Sequence, residues 1–138
     1  MVNAVTVGSV ECSREYLLNI NSTNFSWNKV YAAHILKILR FPNLKYSEDY
    51  VLNATAFIRC AKKVTISGCY YYYYRNSDSA TSAPYSRTKL DILRAGELVH
   101  KLLEKRQPNL RHLSAAYVLD YCIYLYGKVQ SGGDHCSR

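Results

Sequence analysis

Carboxylates are scarce in this chain. Ten Asp and Glu stand against eighteen Lys and Arg, which leaves a formal net charge of +8 over 138 residues. A surplus of that size points to a partner that carries negative charge: nucleic acid, anionic lipid or a phosphate-bearing substrate. The nucleic-acid signatures R-G-F-G-F, G-x-x-G and a zinc-finger pattern are all absent, which disfavours a nucleic-acid module. No C-x-x-C pair occurs, and the five cysteines are an odd number. Neither a disulfide framework nor a zinc knuckle is therefore signalled, and the expectation is reduced thiols, mostly small buried hydrophobes. "DHC" at 134–136 gives no adequate metal-ligand set. No apolar run reaches the roughly 20 residues that span a bilayer. The start "MVNAVTVGSVECS" lacks the basic, apolar and small-residue order of a secretory signal, so a cytoplasmic protein is expected. The sequons at Asn21, Asn24 and Asn53 then read as chance matches.

What is present is globular composition, 49% hydrophobic and 20% charged, in a length that suits one domain. Residues 4–10 alternate as a short strand. "SREYLLNI" reads as a helix capped by Ser13, and residues 21–26 as a polar loop. "WNKVYAAHILKILRF" carries an apolar helical stripe that stops at Pro42. A further helix runs from Ser47 to Ala61, burying Val51, Leu52, Ala54, Phe57 and Ile58. "KKVTISG" is a lysine-edged strand, and "CYYYYYRN" a second extended run. In such a run Tyr70, Tyr72 and Tyr74 share one face and Tyr71 and Tyr73 the other, and a sheet strand of this kind must be covered on both sides. After a polar loop over 76–86, two helices follow, 88–106 with Ile92, Leu93, Leu98, Val99, Leu102 and Leu103 on its apolar face, then 110–128 after Pro108, nearly apolar all round. Seven basic residues and three acids lie between Arg87 and Arg111, which reads first as a solvated face.

Glu48 and Asp49 stand together after Ser47. One reading is a helix start, with the Ser47 hydroxyl accepting a free backbone N–H and the acids complementing the helix dipole. The other is catalytic, because a carboxylate at a helix start is placed to take a proton from a bound hydroxyl.

"SWNKVY", "LRFPNLKYSEDYVLN" and "AKKVTISGCYYYYYRNSDS", in that order, resemble the second half of the family 2 glycosyltransferases of GT-A fold. The matching residues are Trp27, Asn28, Lys29, Tyr31, Arg40, Phe41, Pro42, Glu48, Asp49, Tyr72, Tyr73, Tyr74, Arg75 and Ser79, and the resemblance covers residues 26–82. It implies an α/β fold: the C-terminal half of a GT-A, Rossmann-like domain, a short mixed sheet packed by helices. Residues 1–86 would form the acceptor-side, catalytic-base part, 87–130 a C-terminal helical pair and 131–138 a flexible tail. It implies an inverting transfer of a sugar from a nucleotide-sugar donor to an acceptor hydroxyl, in polysaccharide or glycolipid synthesis, with Asp49 as general base. Trp27, Lys29, Glu48, Tyr74 and Arg75 would border the substrate. Family members hold a divalent cation, magnesium or manganese, through a D-x-D motif that this sequence lacks, so no metal ligand is assigned here and the chain alone should not turn over. The acceptor would be a glycan or lipid-linked, with the basic, tyrosine-rich C-terminal helices peripheral on the inner membrane face. An inactive regulatory remnant and a basic nucleic-acid module are the alternatives, and a half-sheet with an uncovered apolar face invites self-association.

Overall fold

The computed structural model describes residues 2–20, 22–74 and 86–133. Among these residues it is a mixed α/β chain in which five α-helices accompany a two-stranded antiparallel ribbon, with the helix at Ser9–Leu17 packed on the ribbon's inner face. Strand β1 (Val2–Val7) pairs with β2 (Lys62–Ile66), with Val5 opposite Val64 and Thr6 opposite Lys63. The ribbon replaces the mixed sheet expected from the sequence, because the tyrosine run at 69–74 joins no ladder among the described residues.

The first strand ends at Gly8, whose φ of +94° suits glycine and lets the chain turn directly into α1 (Ser9–Leu17). The helix thus starts four residues before the expected cap. Ser13 lies buried within it, its hydroxyl donating to the Ser9 carbonyl at 2.7 Å. The long helix expected over 27–41 shrinks to one turn, α2 (Ala33–Leu36). Asn28 and Lys29 bond instead to Thr23 in the preceding loop and Tyr31 to Asn53 of the helix at 48–57, and the apolar stripe divides into buried Ile35 and Leu39 and exposed Leu36 and Ile38.

Helix α3 (Glu48–Phe57) stops short of the expected end at Ala61; it buries Val51, Leu52, Ala54 and Phe57, and Ile58 is buried at its C-terminal cap. Ser47 does hold the cap position, but in the left-handed conformation at φ 63°, with no side-chain cap hydrogen bond. A 3-10 turn (Arg87–Leu90) leads into α4 (Asp91–Arg106), and Pro108 opens a second 3-10 turn before α5 (Arg111–Gly133). Leu93 and Leu98 of α4 were expected in the core but are exposed. Residues 131–133 continue α5, and 134–138 lie outside the described residues.

The core is an aromatic column. Phe57, Tyr16, Tyr50 and Tyr117 follow one another at ring separations of 4.8, 6.2 and 4.0 Å, and join α1, α3 and α5. The Tyr16 hydroxyl donates to the Tyr50 carbonyl at 3.1 Å. Of the described cysteines, all free thiols, only Cys12 is fully buried, whereas Cys69 is exposed. Burial, reinforced by the Cys12 thiol, pushes the Cys60 thiol up to about 12, so it stays protonated.

The ribbon is inside out. Its inner face carries Thr6 and Lys63, with the Lys63 ammonium paired to Glu15 and Glu15 also accepting the Thr6 hydroxyl. The Lys63 bond, helped by Thr6, holds the Glu15 carboxyl below the usual carboxylate range, partly opposed by burial. The outer face carries Val5, Val7, Val64 and Ile66, each about half exposed or more. An apolar sheet face in that position is the kind that another element normally covers.

Helices α4 and α5 approach closely at Gly96, where a methyl group would lie 2.1 Å from Val118 Cγ2. Overpacking costs about 1–3 kcal/mol and here exceeds the roughly 1 kcal/mol that alanine adds to helix propensity. Gly96→Ala should therefore lower the urea midpoint, and adding Val118→Ala should restore most of the loss. A stabilised Gly96→Ala would mean that the two helices do not pack through this contact.

Candidate functional site

The start of α3 and the loop before α2 form a hydrogen-bonded unit. Glu48 and Asp49 occupy the first turn of α3, where acids complement the partial positive charge of the helix N-terminus. Asp49 does not point into open solvent. Its Oδ1 accepts the Ser26 hydroxyl at 2.7 Å, and its Oδ2 accepts the Ser26 backbone N–H at 3.2 Å. One turn along, fully buried Asn53 donates from Nδ2 to the Asn24 carbonyl at 2.7 Å and to Ser26 Oγ at 3.3 Å. The Tyr31 hydroxyl donates to Asn53 Oδ1, and Asn24 Nδ2 donates to the Tyr117 hydroxyl on α5. Asn24 and Asn53 therefore spend their amide groups inside the fold, which leaves neither free to carry a glycan.

Lys29 closes the loop from the other side. Its ammonium donates to the carbonyls of Thr23 and Phe25 and to Asn28 Oδ1. Burial pushes its pKa down to about 8, Lys63 adds a small further depression, and Asp49 partly opposes both. Tyr31 is moved up, chiefly by burial, so it remains a neutral hydroxyl.

Above this unit stands an aromatic wall. Phe25 and Trp27 flank Ser26 in sequence, and their rings stack at 5.2 Å. Tyr71 and Tyr73 stack on Trp27 at 4.6 and 5.1 Å. The alternation expected of the tyrosine run is thus realised without a strand: the odd-numbered pair turns to Trp27, while Tyr72 and Tyr74 are 93% and 89% exposed. Cover on both sides is not found, because all five tyrosines are about half exposed or more. Trp27 keeps 38% of its surface open.

Of the residues expected at a site, Asp49, Trp27 and Lys29 belong to one unit through Ser26 and the 23–29 loop. Glu48 opens α3, and its side chain makes no hydrogen bond or ion pair with another described residue. Tyr74 makes no ring contact with the wall among the described residues, and Arg75, Asp78 and Ser79 lie outside them. Sequence reasoning missed Ser26, Asn53, Phe25, Tyr71 and Tyr73. One signal was available, since Asn53 follows Asp49 by four residues and shares its helix face.

The implied divalent cation does not fit these residues. A magnesium or manganese ion is held by about six oxygens, commonly from one or two carboxylates with phosphate oxygens and waters. Asp49 is the one carboxylate bonded into this unit among the described residues, and each of its oxygens already accepts a bond from Ser26. No group of three His, Cys, Asp or Glu suited to a metal occurs among the described residues. Among them, too, no helix is long and apolar enough to cross a membrane. No family model, curated protein or solved structure matches the chain.

Proposed function

We propose that this chain supplies the acceptor side of an inverting glycosyltransferase, the C-terminal half of a GT-A-like domain, with Asp49 as the general base. The observation that carries this reading is the clamp of Asp49 on Ser26, between the two residues whose rings start the exposed aromatic wall. The apolar C–H face of a sugar ring packs on such rings by removing apolar surface from water. A sugar hydroxyl beside the wall would then meet a carboxylate of restricted orientation. Each carboxylate oxygen accepts one bond from Ser26 and keeps a further lone pair for a proton. A base so placed contributes on the order of 10²- to 10⁴-fold.

The outward apolar face of the ribbon supports a fold completed by a donor-binding partner element, which would also bring the cation. Leu119, Ile123 and Tyr126, exposed on one side of α5, support a peripheral position on a membrane that carries a lipid-linked acceptor.

The chain has a single tryptophan, so its emission reports on the wall directly. Oligosaccharides should change Trp27 emission saturably, with weak dissociation constants of roughly millimolar order. Tyr71→Ala with Tyr73→Ala should abolish the change, and Asp49→Asn should leave binding nearly intact. Calorimetry with nucleotide sugars should show no manganese-dependent binding, because the sequence has no D-x-D motif. Emission that ignores saccharides but responds to a labelled oligonucleotide, with affinity falling steeply in salt, would replace this reading by a nucleic-acid module.

A further inference from the structure

A second polar region lies apart from the Asp49 unit, between the segment before α3 and the start of α4. It is a cleft of about 410 Å³ lined by Asn43, Lys45, Arg87, Thr88, Asp91 and Arg94. Its two walls are pinned together, because the backbone N–H of Lys45 donates to Asp91 Oδ2 at 2.8 Å. Arg87, Asp91 and Arg94 follow at intervals of four and three residues, which sets them on one helical face, while Lys45 comes from the opposite wall.

Within the lining three cations therefore face a single carboxylate, while outside it Glu97, bonded to Lys101, also feels the Arg94 charge. None of the three forms an ion pair with a described acid, and none of their side chains makes a hydrogen bond with a described residue. Several other basic side chains are occupied, Lys63 by Glu15, Lys101 by Glu97, Lys29 by three oxygens, and Arg40 and Arg59 by backbone carbonyls; Arg106 and Arg111 stand exposed and outside this cleft. Like charges gathered around one open cleft repel one another, and an anion placed among them removes that repulsion.

We propose that this cleft binds a phosphate or diphosphate group, held by the Arg87 and Arg94 guanidinium groups with Lys45 as a point charge opposite. The planar fork of arginine matches the oxygens of a phosphate and bonds it in pairs, which a lone ammonium cannot do. Thr88 and Asn43 add neutral donors on the rim. The volume suits one such group with part of the molecule that carries it. The proposal stands on the cleft alone and does not depend on the transferase reading.

Calorimetric titration of the full chain with pyrophosphate at low salt should give one saturable site. Arg87→Gln and Arg94→Gln should each weaken it on the order of tenfold. Arg106→Gln with Arg111→Gln removes two exposed charges elsewhere and should change affinity by less than about twofold. Asp91→Asn keeps an acceptor for the Lys45 N–H while removing the one opposing charge, and should tighten binding. A second arm separates the source of the phosphate: sedimentation with phosphatidylcholine vesicles, with and without phosphatidic acid. Pyrophosphate binding lost in the Arg87/Arg94 variants supports a soluble phosphate ligand, whereas binding only to phosphatidic acid vesicles, lost in the same variants, supports a lipid headgroup. Silence in both arms, or equal weakening by the control pair, overturns the proposal.

Discussion

Between about pH 10 and 12 the protein should unfold cooperatively, and the tyrosines of the aromatic column, buried Tyr16 and Tyr50 and partly buried Tyr117, should drive the loss. Burial raises Tyr16, Tyr50 and Tyr117 well above the ordinary phenol value of about 10, and the neighbouring tyrosines add to the effect for each. Below pH 10 these groups are neutral in both folded and unfolded chains, and their stabilising effect is complete. Above it the unfolded chain releases protons that the folded chain retains, so stability falls with rising pH. Each such tyrosine contributes about 1.4 kcal/mol per pH unit, and three contribute about 4. Two pH units thus approach the whole stability expected of a domain, about 5–15 kcal/mol. Lys29 acts in the opposite direction between about pH 8 and 10.4, where the unfolded chain binds the extra proton, but it is a single, partly exposed group. Tyrosinate absorbance and helical circular dichroism should change together, and Tyr16→Phe should move the alkaline midpoint upward. Ionisation of these tyrosines with the helix signal intact would mean that water already reaches the column.

Asn53→Ala should destabilise the protein by about 3–4 kcal/mol. Asn53 is fully buried and serves three partners, the Asn24 carbonyl, Ser26 Oγ and the Tyr31 hydroxyl. Truncation leaves these groups short of a partner at about 1–3 kcal/mol each, with the higher end reserved for groups that water cannot reach. Water can reach part of Tyr31 and Ser26, so the sum stays below the maximum. The Ser26 amide, which donates to Asp49, should lose hydrogen-exchange protection before the amides of α4 do. Uniform loss across the chain would mean that Asn53 supports the whole core rather than this loop. A lower denaturation midpoint with unchanged Ser26 protection would separate Asn53 from the Asp49 clamp.

Several elements were legible before the structure. The strand at 62–66, the helix after Ser47 and the break at Pro108 follow from β-branched runs, an apolar repeat and the missing N–H of proline. The helix expected over 27–41 failed because its polar side chains bond outside a helical ladder: Tyr31 to Asn53, 22 positions away, and the Lys29 ammonium to carbonyls of the preceding loop. Local periodicity carries no record of such bonds. The tyrosine run misled in a similar way. Its alternation was readable, but a single exposed tryptophan now supplies the surface that a sheet was expected to provide.

The order of residues by itself determined the buried face of α3, the acids in its first turn and the positive balance of charge, because each depends on spacing or composition within a short window. Only the tertiary structure decided that Ser26 holds Asp49, that the polar side of the ribbon turns inward around the Lys63–Glu15 pair, and that Lys45 meets Arg87 and Arg94 across a cleft. Those outcomes join residues more than twenty positions apart, and their energies come from desolvation and charge pairing that exist only once the chain has folded.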